Sequence, residues 1–261
     1  MEHNEFALDY FAGGVPAYQI FAMHLGSILG LLRAPIISTD HTVEELAFIG
    51  IVSYTEAFFK DHFASIMNVF PHKISLLKER GRDVCIDPTD LLVLEDPLHT
   101  KFGFLLSERF NFGTPKAINA IYHDLVLITP FSKETAAAFD RVIATRNLLV
   151  HHGGMFTSQF NKSIPPAYRE RTFVDSVVVT KVLVSEAALL VNEVASSTVQ
   201  ATTSKLSIEL KDAESSDVRR KALVLMGYDP EESVALTAAF RAISVTKPSA
   251  PSPDNLSETP L

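Results

Sequence analysis

The stretch SKETAAAFDRVIATRNLLVHHGG, Ser132 to Gly154, sets the fold class. Ser132 can cap a helix by accepting a free backbone N–H, and Glu134 stands near the positive end of the helix dipole. No breaker interrupts the run from Lys133 to His152, and Gly153-Gly154 supplies a left-handed stop. The spacing therefore predicts one helix over about 133–152. On it, Asn147 and His151 are four residues apart and share a face. Arg146 stands about 140° around from His151 and roughly 7.5 Å along the axis.

Helix signals continue on both sides. Thr114-Pro115 reads as an N-cap followed by proline at the first helical position, opening a helix through Leu127 that Thr129-Pro130 ends. Thr42-Val-Glu-Glu45 has the capping-box pattern, and apolar residues behind it predict a long helix to about Val69, before Pro71. Thr89 or Asp90 can cap a helix running towards Arg109, with Pro97 in or breaking its first part. Ile20 to Leu32 is apolar but, at 13 residues, short of a bilayer span, and reads as a core helix. From Asp175 to about Val199 an apolar stripe predicts another helix, although Val177 to Val179 would also suit a strand. Ser207 to Ser244 reads as two helices parted by Gly227-Tyr228-Asp229-Pro230, and the Pro- and Ser-rich tail from Thr246 as disordered. With no strand–helix alternation and no hairpin signal, the expected class is all-α. The expected division is an N-terminal helical extension (1–41), a helical domain (42–204), a C-terminal helical extension (205–245) and a tail (246–261).

A chain of 261 residues, 47% hydrophobic and 21% charged, can bury a substantial core. Cys85 is the single cysteine, so no intrachain disulfide can form, which fits a reducing, cytoplasmic setting. Glu2, Glu5 and Asp9 leave no basic region for a secretory signal. The net charge of −8 argues against a protein that coats nucleic acid indiscriminately. Arg141, Arg146, Lys162, Arg169 and Arg171 against Glu170 nevertheless give residues 141–171 a local +4, so the rest carries −12. That is the pattern of a selective anion site.

Other chemistries find little support. His62, His72, His99 and His123 lack metal-ligand spacing, and no metal or cofactor is expected. Gly13-Gly14 and Gly153-Gly154 are not followed by the Lys-Ser/Thr of a phosphate loop, Gly-x-Ser-x-Gly is absent, and nothing local activates Cys85. Arg146, Asn147 and His151 remain. A purely structural account has His151 and His152 capping the last carbonyls of their helix. A functional one has two such helices meeting about a two-fold axis, so that two Arg146 and two His151 surround one cleft.

Arg146-Asn147 followed by His151, at the end of a long helix in "ATRNLLVHHGG", resembles the signature of HEPN domains. The likeness is to bacterial members of the group related to the ribonuclease L kinase-extension nuclease. It spans roughly Thr42 to Ser204, including "SYTEAFFKDHF" (Ser53–Phe63) and "NFGTPKAINAIYHDL" (Asn111–Leu125). The resemblance implies a bundle of four to five core helices that forms a homodimer and cleaves RNA without metal. It implies that His151 moves a proton around attack by the ribose 2′-hydroxyl, that Arg146 stabilises the phosphate, and that Asn147 orients His151 or donates to phosphate. It also implies that an acidic residue of the early helix, Glu56, pairs with the arginine. His152, Tyr168, Arg169 and Arg171 are candidate substrate contacts. Toxin–antitoxin and anti-phage systems use such domains, which would make an antitoxin or regulatory protein a partner; no membrane is expected. The alternative is a non-catalytic HEPN scaffold that binds nucleotide or protein through the same cleft.

Overall fold

The computed structural model describes residues 6–34, 41–92, 97–164, 166–211, 217–227 and 230–245. Among these the chain is all-α. In chain order the helices are α1 (Ala17–Arg33), α2 (Thr42–Val69), α3 (Ile74–Glu79), α4 (Pro88–Leu92), α5 (Leu98–Ser107), α6 (Pro115–Val126), α7 (Lys133–His152), α8 (Ser158–Lys162), α9 (Lys181–Lys211), α10 (Asp217–Met226) and α11 (Pro230–Val245).

α2 is the central post. Its residues from His62 to Val69 are all buried, because α1, α5, α7 and α9 sheathe it on different sides. Its buried polar groups are almost all satisfied. Thr55 and Ser65 hydroxyls donate back to the carbonyls of Ile51 and Asp61. Asn68 donates to the Tyr10 carbonyl at 3.1 Å and accepts from the Gly103 N–H at 2.7 Å, tying α2 to both the N-terminal segment and α5.

The exceptions are one carboxylate oxygen of Glu44 and the ring of His62, which is 1% exposed and stacked between Phe58 and Tyr122. The Tyr122 hydroxyl donates to the Phe59 carbonyl, so Nδ1 of His62 carries the ring proton and donates to that hydroxyl at 2.9 Å. Nε2 is left buried without a partner. Burial pushes the His62 pKa down to about 3, against about 6.5 in an unfolded chain. Between those values the unfolded chain binds the extra proton, so stability is full above about pH 6.5 and falls with pH towards 3. We expect His62 to account for about 2 kcal/mol of lost stability between pH 6.5 and 5. Urea melts should show His62→Phe, which keeps the aromatic stack, losing correspondingly less over that interval. Equal losses in both proteins would contradict this.

Four details differ from the sequence expectation. Neither Thr89 nor Asp90 caps α4, which starts at Pro88 with Asp87 accepting from the Thr89 N–H at 2.8 Å. Thr42 does not cap α2: His41 is the N-cap residue, no side chain caps it, and Thr42 is already helical. The helix expected from Asp175 begins at Lys181. Before it, Ser176 bridges Met155, and the Val177 N–H donates to the Gly154 carbonyl, so Val177 belongs to an extended ribbon. The boundary placed at 204/205 falls inside α9, which runs unbroken for 31 residues.

Nor are the terminal helices appendages. Asn192 of α9, 1% exposed, accepts from the Tyr18 hydroxyl of α1 at 3.0 Å and donates to Thr237 of α11 at 3.2 Å. Lys181 reaches the last turn of α1, bonding the Leu32 carbonyl. One hydrophobic cluster extends from Tyr10 to Phe240. The Pro97 interruption falls as expected, whereas the tail from Thr246 lies outside the described residues.

Candidate functional site at the end of helix α7

Local chemistry places α7 as expected. Ser132 accepts from the Thr135 N–H, and the Glu134 carboxyl is held below the usual range by its own backbone N–H and then by the Ser132 hydroxyl, which donates to it. Asn119 of α6 clamps Phe131 by both its N–H and carbonyl, fixing where α7 enters. Phe131 then packs on Phe139, and Phe139 and Leu148 are the only fully buried residues of the helix. Gly153, at φ 57°, ends it, and the Gly154 N–H donates to the Leu148 carbonyl at 3.0 Å.

Asn147, His151 and His152 are exposed. Neither imidazole hydrogen-bonds to a described residue; the two rings meet edge to face at 6.5 Å. The helix-terminal carbonyls are therefore not what holds them. Arg146 lies on another flank, half-buried, with its Nε shielded from water and unpartnered among the described residues. Its guanidinium is not committed to any carboxylate there. Glu56 of α2 is half-buried and its carboxylate faces Gly113, before α6; no ion pair joins it to Arg146. The expected orienting pair is absent because α2 carries Glu56 towards the α6 end of the bundle.

Beyond Gly153-Gly154 the chain forms a two-strand ribbon, Gly154–Phe156 running against Phe173–Val177. Arg169 is exposed and donates from Nε to the Ile164 carbonyl at 3.4 Å. Arg171 forks onto Asp175, which holds the Asp175 carboxyl below its usual range. The Tyr168 side chain lies outside the described residues.

Two features had no signal in the sequence. A groove of about 700 Å³ runs along the other flank of α7, lined by Phe48, Ala138, Arg141, Thr145, Phe160 and Leu183. It adjoins the Arg146–His151 segment without containing either residue. Phe173 has a positive φ of 58° and is 63% exposed, a conformation costing about 1–2 kcal/mol for a residue with a β-carbon.

Among the described residues, no three His, Cys, Asp or Glu side chains gather as a metal site. α9 has the length and apolarity to cross a membrane, and more than half of that stretch is buried in the bundle. No family model, curated protein or solved structure matches the chain.

Proposed function

We propose that this chain is a metal-independent endoribonuclease of the HEPN type, with its site assembled from the last turns of α7 in two copies. One observation carries the reading. At the end of a single helix, an uncommitted arginine stands beside an asparagine and a histidine that are both open to solvent. An isolated copy does not aim both Arg146 and His151 at one atom, and two-fold pairing supplies the missing half.

In the proposed reaction His151 of one copy takes the proton of a ribose 2′-hydroxyl, and that oxygen attacks the adjacent phosphorus. The bond from phosphorus to the 5′-oxygen breaks, and the leaving oxygen collects a proton from solvent. The products are a 2′,3′-cyclic phosphate and a 5′-hydroxyl. Arg146 presents its planar fork to the non-bridging oxygens as charge builds on them. Asn147 shares the His151 face and orients it or donates to phosphate, while His152, Arg169 and Arg171 contact the flanking backbone. The substrate is RNA because the nucleophile is internal to ribose. The location that goes with this reading is the cytoplasm, and regulation would come from a separate protein partner.

The test is incubation of the purified protein with single-stranded and structured RNA in EDTA, beside Arg146→Ala and His151→Ala. Cleavage that leaves 2′,3′-cyclic phosphate ends and is lost in both variants is the expected result. Full activity in either variant would overturn the assignment. The second reading is a scaffold that binds RNA or nucleotide without cutting it. It is favoured by the separation of Arg146 and His151 within one copy, and would appear as RNA binding with no cleavage by a dimer.

A further inference from the structure

The loop from Glu170 to Asp175 is built to hold one aromatic ring out in solvent. Phe173 and Phe6 are the two exposed phenylalanines among the described residues. Phe173 also has the positive φ that a β-carbon disfavours, and three sets of hydrogen bonds keep it there. Asn161, itself buried, donates to the Glu170 carbonyl at 2.9 Å and to the Thr172 hydroxyl at 2.8 Å. The Asp175 carboxylate accepts from the Arg171 backbone N–H at 2.9 Å, from Nε at 3.2 Å and from Nη2 at 2.9 Å. The Phe173 N–H donates to the Phe156 carbonyl at 2.9 Å. A turn needed for topology alone would be met more cheaply by glycine or asparagine. Strain that its surroundings over-determine, spent on an exposed ring, points to a ligand.

Position and charge say which ligand. The loop hangs on the ribbon that starts directly after His151-His152. Phe156 lies five positions beyond His151, at most roughly 18 Å of chain. Arg171 is fixed by its fork yet its side chain is 75% exposed, so a flat cationic face stands two residues from the ring. Arg169 and Lys162 are exposed on the same segment, and Val174 widens the apolar platform. An aromatic ring among fixed and mobile cations suits an unpaired base flanked by phosphates.

We infer that Phe173 stacks on an unpaired nucleobase of single-stranded RNA, with Arg171 beside it, close to the His151 end of α7. The inference rests on the ribonuclease reading and adds a substrate contact to it.

The experiment measures binding of a short fluorescent oligoadenylate and of its abasic counterpart to protein carrying His151→Ala, which leaves the RNA intact. Adding Phe173→Gly should weaken oligoadenylate binding about tenfold or more. It should leave the abasic probe unchanged and not lower Tm, because glycine accepts the positive φ. Phe173→Trp should restore the affinity. Unchanged oligoadenylate affinity in Phe173→Gly, or equal loss for both probes, would overturn the inference while leaving the nuclease standing. No binding of either probe would take down the ribonuclease reading and this contact with it. A dimer that becomes monomeric on Phe173→Gly would reassign the ring to a protein interface and overturn the inference too.

Discussion

Subunits carrying Arg146→Ala, mixed with subunits carrying His151→Ala, should regain ribonuclease activity that neither has alone. Each single variant is expected to lose about 10²–10⁴-fold, the range for removing a positioned proton-transfer group or a transition-state donor. On α7 the two side chains are about 140° apart, so in the proposed dimer each composite site would take Arg146 from one copy and His151 from the other. Refolding a mixture gives about half heterodimers, each with one intact site and one lacking both groups, so recovery is about a quarter of wild-type activity. RNA cleavage assays before and after mixing, with sedimentation to show that heterodimers formed, make the check. No recovery in such heterodimers would remove the shared site.

Gly103→Ala should be the most destabilising small substitution in the bundle. A β-carbon at this position would stand 2.2 Å from the Ala64 carbonyl oxygen and 2.7 Å from Oδ1 of Asn68. The first atom is backbone of the central helix and cannot rotate away. α5 must therefore back off, stretching the bond from the Gly103 N–H to Asn68. Overpacking together with a weakened buried hydrogen bond costs about 3–5 kcal/mol. For a chain of this size that lowers Tm by roughly 10 °C. Adding Asn68→Ala should not rescue it, since the Ala64 carbonyl remains in the way. Thermal melts of both variants decide the matter, and a Gly103→Ala protein as stable as wild type would mean that α2 and α5 do not cross this closely.

What could be read from the sequence was what local chemistry decides. The Ser132 and Thr114 caps, the Gly153 stop and the Pro97 interruption each involve neighbours in the chain, and each falls where expected. The misreadings involve distant partners or register. At Val177 the helix reading gave way to the strand alternative, because Val177 pairs with the distant Gly154. The boundary at 204/205 fell inside α9, downstream of a Ser- and Thr-rich stretch. There, hydroxyls such as Thr198 and Ser197 donate back to the Val194 carbonyl, so the helix passes through with those groups satisfied. Thr42 was misplaced by one residue, a shift that a short capping pattern does not resolve. At the candidate site, the opposed directions of Arg146 and His151 followed from helix geometry. The missing Glu56 pair and the exposed Phe173 depend on how helices and loops pack, which spacing does not encode.

The sparse anchoring of α7 has a kinetic meaning. Two of its twenty residues are fully buried, against six of twelve in α6. Local opening free energy tracks such anchoring, so α7 amides beyond Leu148 should exchange with solvent deuterium well before those of α2. The segment bearing Arg146 and His151 thus opens more readily than the central helix. A second copy seated on it would slow that exchange, turning assembly into the step that gives the segment its order.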